Sequence, residues 1–531
     1  MSTLNLPDGI MERALMPDLV INDFSGGKNT RVPGNRIADN ELQDIFNMEY
    51  TPTGGLRSRK GRAKYNTTAI GSAGKITGIF PCKYANGTRK FVVSEGTGLY
   101  VDDGAGVFSA IQTGLTSGKY VQMAMLGNLA VFVNGAESPK KYNGTTVSAL
   151  GGSPPADPTM ICSHRNHLFA AGASANPFLI SASAVNNPED WTTANDSWNG
   201  YCGYQDGDPP IGMISFMDTF LYVFKRQAIW RIIGSTGNSS SANVFTPERV
   251  ASLTGSVSQF SIVPVGSDVF FFDIEGVKSL ADTERAAGIE YPNLTFKIQD
   301  DINNLNQSKF SQFYAANHKQ KSQYWLCVAN AGQANNNRVI VLDYALRTPG
   351  PMGILFPAVT IFDHPMSAIA LIEETTGADQ LYGGDVSGFL WKLDTDDADG
   401  TADYSKWFKT KAFDLGDPAR YKNFKYLFAR VKQEGSYNLS INWSMDLDNT
   451  GGGAYTMSLA LLAGAVFDTA VFDTATFDSG VPAKKRILLP AYGRANGQNI
   501  AFQFINSNKN QPFEIIELVL TAEPRGYRAF N

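Results

Sequence analysis

The chain has 531 residues, 43% hydrophobic and 18% charged, with a formal net charge of −5. That length holds about three domains at roughly 100–200 residues each, or one large repeat domain with appendages. Its 51 glycines and many Ser, Thr and Asn exclude a long-helix protein and a charged disordered tail. They suit a β-rich chain, because Gly and Asn accept the positive φ at which hairpins reverse, and the acidic balance disfavours a globally basic nucleic-acid binder.

Residues 1–20 have no basic segment followed by an apolar core, so no secretory signal is expected. From Asp39 to Met48 the residues Leu42, Ile45 and Phe46 share one helical face behind Asp39 as N-cap, which predicts a short helix. Arg57, Arg59, Lys60, Arg62 and Lys64 then form a basic strip. Such a strip suits contact with DNA phosphates. It equally suits a strand facing acidic neighbours, in this chain or on another subunit.

Beyond it, hydrophobic runs are short and strand-like. Residues 91–93 and 98–101 flank a turn, 129–133 end at Asn134-Gly135, a strong two-residue hairpin signal, and 140–142 meet Asn143-Gly144. Similar pairs recur at 220–224 and 228–233, 268–272 and 276–280, 324–328 and 338–343, and 381–385 and 388–393. Each unit is an apolar strand, a Gly/Asp/Asn turn, and a second strand with an aromatic. The repeat of roughly 35–50 residues, with no helix between units, predicts a β-propeller of about six or seven blades, the alternative being an irregular stack of β-sandwiches. Candidate blades lie near 76–111, 119–150, 158–200, 211–250, 257–300, 310–360 and 366–396. Residues 300–310 suggest a short helix or an irregular link.

From Trp407 on, longer alternating strands at 424–431, 437–443, 500–504 and 513–520 predict an antiparallel β-sandwich. The expected organisation is an all-β protein. It has an N-terminal arm with a short helix over 1–66 that closes or anchors the propeller, a propeller over 67–400, and a sandwich over 401–531. Within the sandwich, three successive pentapeptides carry Phe467, Phe472 and Phe477, each followed by Asp-Thr or Asp-Ser. They read either as a loop packed on its own domain or as an aromatic interface strip, with anchors alternating with turn formers.

The search for chemistry finds no catalytic residue, cofactor or metal site. His164 and His167 are three apart, in a strand context that would point them to opposite faces, with no third ligand near. Cys82, Cys162, Cys202 and Cys327 show no Cys-x-x-Cys spacing and read as buried free thiols. No nucleophile elbow, phosphate loop or dinucleotide fingerprint occurs. The acidic run 394–400 lacks the carboxylate an EF-hand needs at its twelfth position, where Lys406 falls, and reads as a solvated linker, the alternative being an adventitious cation site. The longest apolar stretch, 458–467, is about half the length of a membrane-spanning helix.

One block carries a resemblance. Asp23-Phe24-Ser25-Gly26-Gly27 is followed by 36–48, ending Asp44-Ile45-Phe46-Asn47-Met48, and then by Gly54-Gly55-Leu56-Arg57-Ser58-Arg59-Lys60-Gly61. A second set runs through 165–172, 180–183, Pro188-Glu189-Asp190-Trp191 and Gly207-Asp208-Pro209-Pro210-Ile211, with His167 where the pattern has Arg. These segments resemble the nozzle (second tail tubular) proteins of short-tailed bacteriophages and the related packaged-DNA-stabilising tail hubs. The resemblance implies a non-enzymatic virion protein, made in the host cytoplasm and placed in the tail. It implies a homohexameric ring of propeller and sandwich domains below the portal and its adaptor, touching tail fibres or distal tail proteins and passing double-stranded DNA. The alternative is a tail-borne propeller depolymerase or a glycan-binding receptor-recognition protein.

Overall fold

The computed structural model describes residues 18–193, 196–235, 244–285, 293–350, 354–374, 377–432, 437–447, 452–459 and 483–527. The chain divides into two compact units, Lys60–Thr401 and a second formed by the residues up to Arg59 together with those from Ala402 on. The arm expected over 1–66 is therefore shared between them.

The unit Lys60–Thr401 is a β-propeller with six four-stranded blades and one three-stranded sheet, each an antiparallel meander. Blade 1 is Ile76–Lys83, Arg89–Glu95, Gly98–Asp102 and Phe108–Gln112, and blade 2 is Gln122–Leu126, Leu129–Val133, Lys140–Tyr142 and Val147–Ala149. Blade 3 is Met160–His164, His167–Ala173, Asn176–Ala182 and Trp198–Tyr201, and blade 4 is Gly212–Phe216, Phe220–Phe224, Ala228–Ser235 and Val244–Ser252. The three-stranded sheet Val263–Val265, Asp268–Asp273 and Gly276–Ser279 follows. Blade 5 is Tyr314–His318, Gln323–Val328, Arg338–Pro349 and Leu355–Phe362. The closing blade takes Ala368–Glu373, Asp379–Gly384 and Leu390–Leu393 from the end of the unit and Arg62–Lys64 from its start. That strand joins the two ends of the ring by hydrogen bonds, so the ring cannot open without breaking them.

Burial follows from the blade pattern. Second strands such as Leu129–Val133 and Phe220–Phe224 are buried along almost their whole length, because both faces meet a neighbouring blade. Apolar clusters fill the junctions: Phe80, Val92 and Phe132 between blades 1 and 2, Phe169, Leu221 and Phe245 between blades 3 and 4, and Ile76, Val93 and Tyr382 between the closing blade and blade 1. Between the three-stranded sheet and blade 5 lie the short helix Gln299–Asn303 and the 3-10 turn Gln307–Gln312, as expected over 300–310.

The second unit is a sandwich of two largely antiparallel sheets. One orders Ala483–Leu488, Arg420–Lys432, Glu514–Tyr527, Leu56–Ser58 and Met48–Tyr50, with Leu19–Ile21 also on Glu514–Tyr527. The other orders Glu41–Phe46, Lys406–Thr410, Ile500–Asn506, Asn438–Met445 and Gly453–Ser458. Along Asn438–Met445 the residues Leu439, Ile441, Trp443 and Met445 are all buried, the period-two pattern of a strand with one inward face. Phe408 stacks on Phe504 with ring centroids 4.9 Å apart and meets Phe24 edge-on at 5.9 Å.

Two local expectations are corrected. The segment expected to be a helix from Asp39 to Met48 forms the strands Glu41–Phe46 and Met48–Tyr50. A register shift between Leu42 and Asp44 inserts an extra residue, so Leu42 and Ile45 both reach the interior at a helix-like spacing of three. Asn134-Gly135 does not make a two-residue turn. Strands Leu129–Val133 and Lys140–Tyr142 are joined by residues 134–139, and the Asn134 side chain accepts the N–H groups of Ala136 (3.1 Å) and Glu137 (3.2 Å). A two-residue turn occurs instead at Arg165-Asn166, both at positive φ (46° and 61°).

Candidate functional site

The basic strip is engaged within the chain. Arg57 lies directly across the ladder from Glu49, and its Nε is 2.6 Å from the buried Oε1 of that residue. Arg59 is buried, donates Nε–H to Asn47 Oδ1 at 2.7 Å and lies 4.3 Å over the Tyr404 ring. Asn47, at φ 54°, separates the strands Glu41–Phe46 and Met48–Tyr50. In the propeller unit, Lys60 Nζ is 2.7 Å from Asp397 Oδ1, and Arg62 faces Asp399 while lying 4.6 Å over Trp391. Lys64 Nζ sits 3.6 Å over Phe389.

The acidic run 394–400 is therefore no solvated linker. Asp397 and Asp399 are counter-charges to the strip, and Asp394 accepts from His318 Nε2 at 3.2 Å and Lys321 Nζ at 2.5 Å. Burial alone would raise the Asp394 carboxyl, but the hydrogen bond from His318 and the Lys321 charge hold it below the usual carboxylate range. Among the described residues no group of three or more His, Cys, Asp or Glu is placed to hold a metal.

A second cluster gathers where the chain enters the innermost strands. Tyr120 precedes blade 2, Phe260 precedes the three-stranded sheet, and Tyr314 begins blade 5. Tyr120 and Phe260 are 5.3 Å apart between centroids, and Phe260 stacks on Tyr314 at 4.7 Å. Lys75, just ahead of blade 1, lies 5.0 Å over Tyr120 and donates to Gln312 Oε1 at 3.0 Å. Burial, helped by the charge of Lys309, pushes the Lys75 amine down to about 8. Tyr120 and Phe260 come from blade 2 and the three-stranded sheet, which blades 3 and 4 separate in the ring, so this cluster links blades that are not sequence neighbours.

A third feature is a cleft of about 290 Å³ between blade 1 and the closing blade, lined by Tyr65, Phe91, Asp102, Glu374, Tyr382 and Lys392, among others. No local motif marked it, since its walls converge from the two ends of the propeller unit. The nearest signal in the sequence was the aromatic carried by each repeat.

His164 and His167 do not point to opposite faces. The Arg165-Asn166 turn sets them directly opposite each other, and both pack on Phe169, with centroids at 5.9 and 6.2 Å. Their Nδ1 atoms bond Ser215 Oγ (2.9 Å) and Ser183 O (2.6 Å). Cys82, Cys202 and Cys327 are buried and Cys162 half-buried, all as free thiols. Phe467, Phe472 and Phe477 lie outside the described residues. Among the described residues no helix is long and apolar enough to cross a membrane.

No family model matches the chain, and no curated protein matches it. Among solved structures it is similar to BBS1N in complex with ARL6DN, at 13% identity over 64% of this chain and 99% of that one, with a TM-score of 0.40. It is similar to BamB from Moraxella catarrhalis at 10% identity, over 66% of this chain and 96% of that one, with a TM-score of 0.35. A catalytically inactive virginiamycin B lyase from Staphylococcus aureus with quinupristin aligns at 12% identity, over 62% of this chain and 98% of that one, with a TM-score of 0.36.

Proposed function

We propose that the protein is a non-enzymatic subunit of a short-tailed phage tail, a nozzle or hub that forms a homohexameric ring below an adaptor and passes the genome. The observation that carries this reading is the N-terminal block on which the resemblance rests. Its residues are framework. Phe24 and Leu56 are buried, Arg59 is a buried cation, and a Cβ on Gly26 or Gly55 would lie 2.7 or 2.8 Å from the backbone oxygens of Asn40 and Ile515. A motif of this kind fits a family defined by assembly rather than by a reaction.

The conduit in this reading is enclosed by several copies arranged as a ring. Its wall is expected to be polar or acidic and to hold DNA weakly, so that a duplex can slide, and the basic strip, whose Arg57, Lys60 and Arg62 already face Glu49, Asp397 and Asp399, has little charge to offer phosphates. The test is the mass of the purified chain, alone and with an adaptor ring, by light scattering and electron microscopy. Rings of about six copies are expected. A chain that stays monomeric under both conditions overturns the proposal. Tight, steeply salt-dependent binding of a random duplex would overturn the weakly binding wall.

A further inference from the structure

We propose that the cleft between blade 1 and the closing blade binds a neutral saccharide of one or two rings. The inference stands independently of the tail reading. The cleft's volume of about 290 Å³ is at the small end for ligand pockets. Its floor is aromatic. Tyr382 meets Tyr65 at 5.3 Å and Phe91 at 5.2 Å, both edge-to-face, with Phe108 behind Phe91 at 6.1 Å. Tyr382 is buried beneath them, and the half-buried Tyr65 and Phe91 offer apolar ring surface to the C–H side of a sugar.

The polar groups over this floor are fixed, and two keep bonding capacity. Tyr382 donates its hydroxyl to Glu374 Oε1 at 2.8 Å, Lys392 Nζ donates to the same oxygen at 2.7 Å, and Tyr65 donates to Asp102 Oδ2. Glu374 Oε2 receives no hydrogen bond among the described residues, and Lys392 makes one of the three that an ammonium can donate. A diol placed between them would donate to the first and accept from the second, a charge-assisted pairing stronger than one between neutral groups.

The lining decides against charged ligands. Lys83, Arg89, Lys90 and Lys392 balance Asp102, Asp103, Glu373 and Glu374, and Glu373 already bridges Lys83 and Arg89 on the rim. No excess of either sign remains to select a phosphate or a metal ion. An aromatic cage for an organic cation is also excluded, because Lys392 Nζ already lies 5.4 Å from the Tyr65 centroid and 5.8 Å from that of Tyr382.

Glu374 is held ready to accept a hydrogen bond as a carboxylate. The hydrogen bond from Lys392, against the opposing effect of burial and with that from Tyr382, keeps the Glu374 carboxyl below its usual range.

The experiment is saturation-transfer NMR on the full chain with glucose, galactose, N-acetylglucosamine and their disaccharides, each up to about 10 mM, a range that reaches millimolar affinities. Dextran and purified surface polysaccharide form a polymer arm. Transfer to at least one saccharide is expected, reduced about tenfold in Glu374→Gln and in Phe91→Ala, the loss of one charge-assisted bond or one ring contact. Stronger transfer to polymer than to free sugar assigns the source to a surface glycan, and the reverse to a free sugar; either supports the site. Matched circular dichroism and melting curves establish that the variants are folded. Tyr382→Phe, which removes only the hydroxyl, gives a second reading if Phe91→Ala does not fold. Absence of transfer from the whole panel overturns the proposal, as does transfer unchanged in the folded variants. Displacement of the saccharide by inorganic phosphate or tetramethylammonium at equal concentration overturns its neutral-ligand assignment.

Discussion

His164 is a neutral group at pH 7 because burial pushes its imidazole down to about 4, against the opposing charge of Asp218, and burial also lowers His167. An unfolded histidine titrates near 6.5. Between about 6.5 and 4 the unfolded chain therefore takes up protons that the folded chain refuses, so stability present above this window is lost as pH falls through it. The melting temperature should fall across that interval, and His164→Gln should flatten the fall; identical pH slopes for the two proteins would refute the assignment. The basic strip is graded in the same way. Replacing buried Arg59 by Ala leaves Asn47 Oδ1 without this donor and opens a cavity, at a cost of about 3 kcal/mol. Lys60→Ala breaks a pair whose members are 44% and 33% exposed and should cost under about 1 kcal/mol in denaturant unfolding.

At the scale of elements, the decisive strand is Arg62–Lys64. It pairs with Leu390–Leu393 through Lys64 opposite Trp391 and Arg62 opposite Leu393, and it is held from the side by the acidic run. Gly61 makes this approach possible, since a Cβ there would lie 2.0 Å from the Ala398 carbonyl oxygen. Gly61→Ala must displace backbone, and we expect hydrogen exchange in Leu390–Leu393 to accelerate by about tenfold or more while blades 2 and 3 stay protected. Uniform exchange across all blades would show that closure is not local. The bulge in Glu41–Phe46 teaches the converse lesson: one inserted residue gave a strand the spacing of a helix.

For the whole molecule, the boundary at Lys60 predicts how the chain can be cut. A fragment spanning 60–401 includes the closing strand, and one spanning 67–401 lacks it. The longer fragment should melt cooperatively, whereas the shorter should melt lower and be cleaved by trypsin within the closing blade, where an unpaired strand edge is left. Equal melting of the two would mean that the ring does not depend on this strand.

The sequence by itself determined the class of the fold and the places of its blades. Short apolar runs bounded by turn residues are local properties, and 220–224 and 268–272 show them in a few residues. It also placed the sandwich strands that alternate, such as Asn438–Met445. Tertiary structure alone decided the partners. Lys60 and Asp397 are 337 residues apart, and nothing near either strip states that one neutralises the other. The saccharide cleft is assembled from Tyr65 and Phe91 at one end of the propeller unit and Glu374, Tyr382 and Lys392 at the other. Ring closure brings these ends together, and a local pattern records which face of a strand is buried, not which distant strand will cover it.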